Sequence, residues 1–156
     1  GGVFLANSDE HDEFGYSREE SSTRNQQNNK RLRKLEHVKQ ALPVPRVYGP
    51  LSAEVTLICW GSVKGPALDS LALLMKTGIK ANVLHLVYVS PFPSEYVAKI
   101  MQTSKTTIVV ENNVTAQCAG LIREMTGEKA DHLIGKSDGR PFTPEEIMRE
   151  VNNVLK

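Results

Sequence analysis

Three apolar runs, EVTLICW (54–60), NVLHLVYV (82–89) and TTIVVE (106–111), are separated by stretches whose hydrophobic residues recur every three or four positions. Hydrophobicity that is continuous rather than alternating suits strands buried on both faces, as in a parallel sheet covered by crossover helices. The helices between the runs have legible ends. The first has Pro66 at its start, Leu68, Leu71, Ala72 and Met75 on one face, and Gly78 just past its end. The second opens at Ser94 and buries Val97, Ile100 and Met101. The third runs from Thr115 with Cys118, Leu121, Ile122 and Met125 aligned, and stops at Gly127. The last carries a capping box, Thr143 with Glu146, and Pro144 at its first position, with Ile147, Val151, Val154 and Leu155 as its stripe. A short strand around His132–Ile134 fits before it. The order β-α-β-α-β-α-(β)-α predicts a three-layer α/β/α fold with a mostly parallel sheet of four to five strands and right-handed crossovers.

The first part of the chain is of a different kind. Residues 17–31, SREESSTRNQQNNKR, hold no apolar side chain, so ordering them costs about 1–2 kcal/mol per residue with no burial to offset it. This stretch is expected to be partly disordered. After it, Leu32, Leu35, Val38 and Leu42 form a narrow stripe on a charged helix that needs something to dock on. PVPRVYGP (43–50) reads as an extended, proline-punctuated linker. The expected organisation is a joining segment over residues 1–45 and an α/β domain over 46–156.

Composition narrows the partners. A net charge of +1 on 156 residues gives no global field for nucleic acid or an anionic membrane, and the basic run KRLRK (30–34) has no interleaved aromatics. No apolar stretch reaches the length of a membrane span, and GGVFLANSDEHDE lacks the basic start and apolar run of a secretory signal. Neither nucleic acid nor membrane is expected as a partner. The chain begins at Gly1 without an initiator Met, which points to a processed chain or a piece of a longer one. Cys59 and Cys118 make no CxxC and fit a reducing compartment, so the expected location is cytoplasmic.

In a parallel sheet, ligand and partner surfaces gather at the carboxyl ends of the strands. Three turns should meet there: Trp60 to Gly65, Ser90 to Pro93, and Glu111 to Asn113. The first is neither a GxxxxGK[ST] loop nor a GxGxxG fingerprint, and Ser62 is out of register for a GxSxG elbow. Gly61 and Gly65 either make a tight turn or flank an anion site beside Lys64. Glu111 with Asn112 and Asn113 reads either as an acid with two amide helpers or as a hydrogen-bonded structural carboxylate; no partner base is identifiable. His11-Asp12-Glu13 has ligand-type side chains but no metal-ligand spacing. His85, within a strand, reads as a satisfied core histidine and Cys118 as core. No catalytic residue and no metal site is assigned.

Four segments, ICWGSVKGPALDSL, LVYVSPFPSEYVAKI, TTIVVENNVTAQCAGLIREMTG and KSDGRPFTPEEI, together resemble the C-terminal domain of the alpha subunit of 2-oxoacid:ferredoxin oxidoreductases. HDEFG (11–15) and the KRLRKLE helix are similar to the segment joining that domain to the preceding one. These thiamine diphosphate enzymes convert a 2-oxoacid, CoA and oxidised ferredoxin to acyl-CoA, CO2 and reduced ferredoxin. The resemblance implies a transketolase C-terminal-domain-like fold. It also implies an upstream pyrimidine-type domain in the same subunit and a beta subunit carrying the pyrophosphate–Mg signature, which Asp138-Gly139-Arg140 does not reproduce. The iron–sulfur cysteines lie elsewhere, since two distant cysteines hold no cluster. This fragment is thus expected to bind no cofactor and to be inactive alone, serving assembly with the beta subunit and, through the complex, ferredoxin. Asn7-Ser8 departs from the family's Thr-Gly, within the joining segment.

On this resemblance the Gly61–Gly65 turn is chiefly a close-packing corner near the junction with neighbouring domains or subunits. Trp60, Gly61, Ser62 and Gly65, with Pro91, Phe92 and Pro93 and with Glu111, Asn112 and Asn113, are candidates for one strand-end interface. Lys64 and Arg140 are candidates for touching an anionic cofactor such as CoA. The alternative reading is a stand-alone Rossmann-like module binding a nucleotide or CoA. A third is the matching domain of a transketolase or 2-oxoacid dehydrogenase.

Overall fold

The computed structural model describes residues 2–3 and 8–156; Asn7, half of the Asn7-Ser8 departure from the family pattern, lies outside them. The chain divides into two compact units, Gly1–Leu42 and Pro43–Lys156. In the first, Asp12 organises a turn: its carboxylate accepts the backbone N–H groups of Phe14 and Tyr16, both at 3.0 Å, and pairs with Arg18 at 2.9 Å. That occupies the carboxylate locally. Helix α1 then spans Ser21–Ala41. The polar run is therefore helical from Ser21 onward, against the expectation of disorder. Arg24, Gln26, Gln27, Lys30 and Arg31 are good helix formers, and 21 residues spread the nucleation cost over many bonds. Glu10 takes the Arg31 guanidinium with both oxygens, and Arg31 also bonds Asn28 one turn earlier. No residue of α1 is buried; Leu32, Leu35 and Val38 recur along it at helical spacing, each exposed.

The second unit is built on a five-stranded sheet of order β1-β3-β2-β4-β5: β1 Arg46–Tyr48, β2 Val55–Trp60, β3 Ala81–Leu86, β4 Thr106–Glu111 and β5 His132–Gly135. β2 through β5 are parallel, and β1 pairs antiparallel with β3, Arg46 opposite His85 and Tyr48 opposite Val83. β1 lies inside the stretch expected to be a linker. Val47 and Tyr48 are β-formers, and the flanking prolines confine pairing to three edge residues. β3 stops at Leu86 rather than running to Val89, because its partner β2 ends opposite it at Trp60. Val87 beyond is 68% exposed.

Helices α2 (Lys64–Lys76) and α5 (Pro144–Val154) cover one face, and α3 (Ser94–Thr103) and α4 (Gln117–Thr126) the other. The strands feed both layers by alternation. Leu57, Cys59, Val83, Ile108 and Val110 pack with Leu74, Ile147 and Val151 on one side. Ile58, Leu84 and Val109 pack with Val97, Met101, Cys118 and Ile122 on the other. Each such fully buried aliphatic contributes about 1.5–3 kcal/mol. The α2 face differs from the expected one: Ala67, Ser70 and Leu74 are buried while Ala72 and Met75 are exposed. Ser70 is tolerated there because its hydroxyl donates to the Ala67 carbonyl at 2.8 Å. α2 also begins two residues before Pro66, after a 3-10 turn over Gly61–Val63. The α5 capping box forms as the sequence suggests, with Thr143 Oγ1 accepting from the Glu146 N–H and Glu146 accepting from the Thr143 N–H.

Candidate functional site

The parallel strands end together, and the turns after β2, β3, β4 and β5 form one rim. At the end of β4, Glu111 turns inward and is fully buried. Its Oε2 accepts from the Cys118 N–H at 2.7 Å and from Asn113 Nδ2, and its Oε1 accepts from the Ala119 N–H at 3.1 Å. Asn113 Oδ1 accepts from the Gln117 N–H at 3.1 Å. Strand-end carboxylate and amide thus close the first turn of α4, where a negative charge also meets the helix dipole favourably. Helix α4 starts at Gln117 rather than Thr115 because these two side chains serve its first N–H groups from the strand end. Of the two readings of Glu111, the structural one fits this geometry.

The other rim residues separate by exposure. Phe92 is 3% exposed, packed with Ile58, Leu84, Leu86 and Val97 beneath a turn whose Ser90–Pro91 bond is cis. Pro91 and Pro93 are half-buried. Phe92 and Glu111 are therefore inside the domain, and Trp60, Ser62, Asn112 and the partly exposed Asn113 present the outer rim. Trp60 is 37% exposed and borders an apolar notch with Val89, Cys118 and Leu121. Gly61 has φ +57°, a left-handed conformation that favours glycine, yet a Cβ built on it meets no atom within 4 Å. The same open space surrounds Gly65 within α2. Among the described residues no atom packs against either glycine: Gly61 answers a backbone requirement and Gly65 borders free space.

Sequence reading missed a cationic cluster at the edge next to β3. The Arg46 guanidinium lies 4.8 Å and the Lys64 ammonium 5.1 Å from the Tyr48 ring centroid. His85, paired with Arg46 across the strands, is 8% exposed, and among the described residues its ring nitrogens make no well-formed hydrogen bond, although the Gly61 backbone lies close enough to favour the charged ring. Burial and the Lys64 charge push its pKa below the ordinary histidine value, so the ring stays neutral. The missing signal was β1, which alone brings Arg46 and Tyr48 beside His85.

Lys64 and Arg140 do not share a site. Lys64 stacks on Tyr48, whereas Arg140 lines a cleft with Ser62, Asn112, Lys136 and Ser137. Lys136 is held by both oxygens of Glu146 at 2.8 Å, and that pairing holds the Glu146 carboxyl below its usual pKa.

The described residues do not fit a metal, an iron–sulfur cluster or a diphosphate–Mg centre. No group of three or more His, Cys, Asp or Glu side chains converges among the described residues. Cys59 and Cys118 belong to cores on opposite faces, and burial pushes both thiols up to about 12, far from the thiolate a metal requires. No helix among the described residues is long and apolar enough to cross a membrane.

Residues 53–147 match the family model for pyruvate:ferredoxin oxidoreductase core domain II. The 2-oxoacid:ferredoxin oxidoreductase subunit alpha of Saccharolobus solfataricus is 33% identical over 151 residues, 95% of this chain and 24% of that protein. The chain thus spans about a quarter of the length of the curated relatives it matches. Among solved structures, 2-oxoglutarate:ferredoxin oxidoreductase from Magnetococcus marinus, with 2-oxoglutarate, coenzyme A and succinyl-CoA bound, superposes with a TM-score of 0.82. Its identity is 27%, over 99% of this chain and 27% of that one. A split-gene transketolase, 17% identical with a TM-score of 0.58 over 73% of this chain and 42% of its own, shares the fold alone. The chain belongs to the pyruvate:ferredoxin oxidoreductase core domain II family.

Proposed function

We propose that this chain is the non-catalytic C-terminal domain of the alpha subunit of a thiamine diphosphate-dependent 2-oxoacid:ferredoxin oxidoreductase, working in assembly rather than chemistry. One observation carries the reading: the chain aligns along 95% of its length with an alpha subunit four times as long, while Glu111, the buried carboxylate at the rim, is spent on a helix N-terminus. The working enzyme is a cytoplasmic hetero-oligomer in which an upstream pyrimidine-type domain and a beta subunit supply the thiamine diphosphate, Mg and iron–sulfur sites. CoA and ferredoxin meet the complex rather than this domain's core. Trp60, Ser62, Asn112 and Asn113 form the outward rim that faces the neighbouring parts. Residues 1–45 serve as the joining segment.

The test is reconstitution. The chain alone, an alpha subunit with its upstream domain, and the beta subunit are assayed for ferredoxin reduction driven by 2-oxoacid and CoA. No turnover is expected from the chain alone, full turnover from the assembly, and failure to assemble when residues 46–156 are deleted. Turnover by the isolated chain, or a normal active complex without the domain, would sink the proposal.

A further inference from the structure

β2 lies between β3 and β4, so the chain leaves β2 toward one neighbour and comes back from β3 to the other. Doubly wound sheets take ligands at such a reversal, outside the carboxyl ends of the strands. Here that position is the cleft between Ser62 after β2, Asn112 after β4, and the loop from Lys136 to Pro141 after β5.

The chemistry of the cleft is one-sided. Lys136 is neutralised by Glu146. Arg140 brings a guanidinium that has no carboxylate in ion-pair range among the described residues. The hydroxyls of Ser62 and Ser137 and the backbone N–H groups of Ser137, Asp138 and Gly139 donate to no protein acceptor among the described residues. The loop's own carboxylate, Asp138, has Oδ1 occupied by the Arg140 N–H at 3.0 Å and Oδ2 3.8 Å from Lys136 Nζ. Donors and one free positive charge thus outnumber acceptors.

The loop is also held in place without any ligand. Asn112 Nδ2 donates to the Arg140 carbonyl at 3.1 Å, Lys136 Nζ to the Pro141 carbonyl at 3.1 Å, and the Lys136 N–H to the Glu111 carbonyl at 3.2 Å. A bound group would not have to order it. The 3-10 turn at Gly61–Val63 is too short for its dipole to hold an anion unaided. Lys64 is outside, stacked on Tyr48.

We propose that this cleft binds a phosphate-type oxyanion of a phosphorylated small molecule, with Arg140 as the counter-charge and Ser62 and Ser137 as hydroxyl donors. The site shares Ser62 and Asn112 with the rim given the assembly role, but its donors all come from this chain, so it is tested without partners.

Inorganic phosphate is titrated into the isotopically labelled 156-residue chain at constant ionic strength, chloride replacing phosphate, and amide NMR shifts are followed. Saturable shifts are expected at residues 62, 112 and 137–140. Arg140→Ala should weaken the apparent affinity at least about fivefold, because a charge-assisted pair is lost. Arg140 ties the loop down through its backbone N–H and carbonyl, so the variant keeps the loop. Ser62→Ala should weaken binding less, and Lys64→Ala not at all. Shifts that stay linear and spread over all lysines and arginines, or equal losses in Arg140→Ala and Lys64→Ala, overturn the proposal. Neither result depends on whether the chain joins a beta subunit, so the assembly reading fails or survives separately.

Discussion

Cys118 donates its backbone N–H to Glu111 Oε2 across 2.7 Å, which makes a strand-end carboxylate the cap of the following helix. The same side chain serves Ala119 and Asn113. A residue that looks like a general acid by position is wholly occupied by its own domain.

Glu111→Gln keeps one acceptor oxygen and loses the charge facing the α4 N-terminus. We expect a loss of about 1–3 kcal/mol in unfolding free energy, the cost of leaving buried donors poorly paired. Urea denaturation measures it, and a change below about 0.5 kcal/mol would contradict the capping role.

Gly61 and Gly65 are separable. Gly61→Ala forces a left-handed conformation on an L-residue and should cost about 1–2 kcal/mol although no atom obstructs the new methyl. Gly65→Ala, in a helix with open space, should be neutral or stabilising by up to about 1 kcal/mol. If both lose stability equally in thermal melts, a packing constraint has been overlooked.

His85 makes stability depend on mild acid. Its pKa is lower in the folded chain than in the unfolded one, so the unfolded state takes up the proton first. Stability should be complete above about pH 6.5, the ordinary histidine value, and decline as pH falls below it. His85→Leu should flatten that decline between pH 7.5 and 5, a window above the carboxylates held low by Lys136 and Thr107. Identical slopes in the two proteins would exclude His85 as the cause.

Trp60 tests the rim as an interface. Trp60→Asp should leave the isolated chain with a single cooperative unfolding transition. It should weaken association of the alpha and beta subunits at least about tenfold, as losing a buried aromatic anchor does. Unchanged association in a sedimentation titration would remove Trp60 from the interface.

Most of the fold is written in the chain at the level of single residues. Val55 to Cys59, Ala81 to Leu86 and Thr107 to Glu111 are buried without a break, and that continuity is visible as apolar runs. The Thr143–Glu146 box and the Gly127 stop fix helix ends by local chemistry. What escaped depended on distant partners. β1 has only three residues and exists because β3 offers it an edge. The start of α4 is set by Glu111, six residues upstream of Gln117. The true α2 face contains Ser70, whose polarity is cancelled by a bond the sequence does not display. Phe92 was expected on the strand-end surface, and packing draws it in instead.

Cys59 belongs to the core under α2 and α5, and Cys118 to the one under α3 and α4, with the backbone of the sheet standing between them like a partition. No oxidant can staple the two sulfurs together while the partition stands. Any intramolecular crosslink found in a preparation is therefore a record of molecules that came apart before they were oxidised.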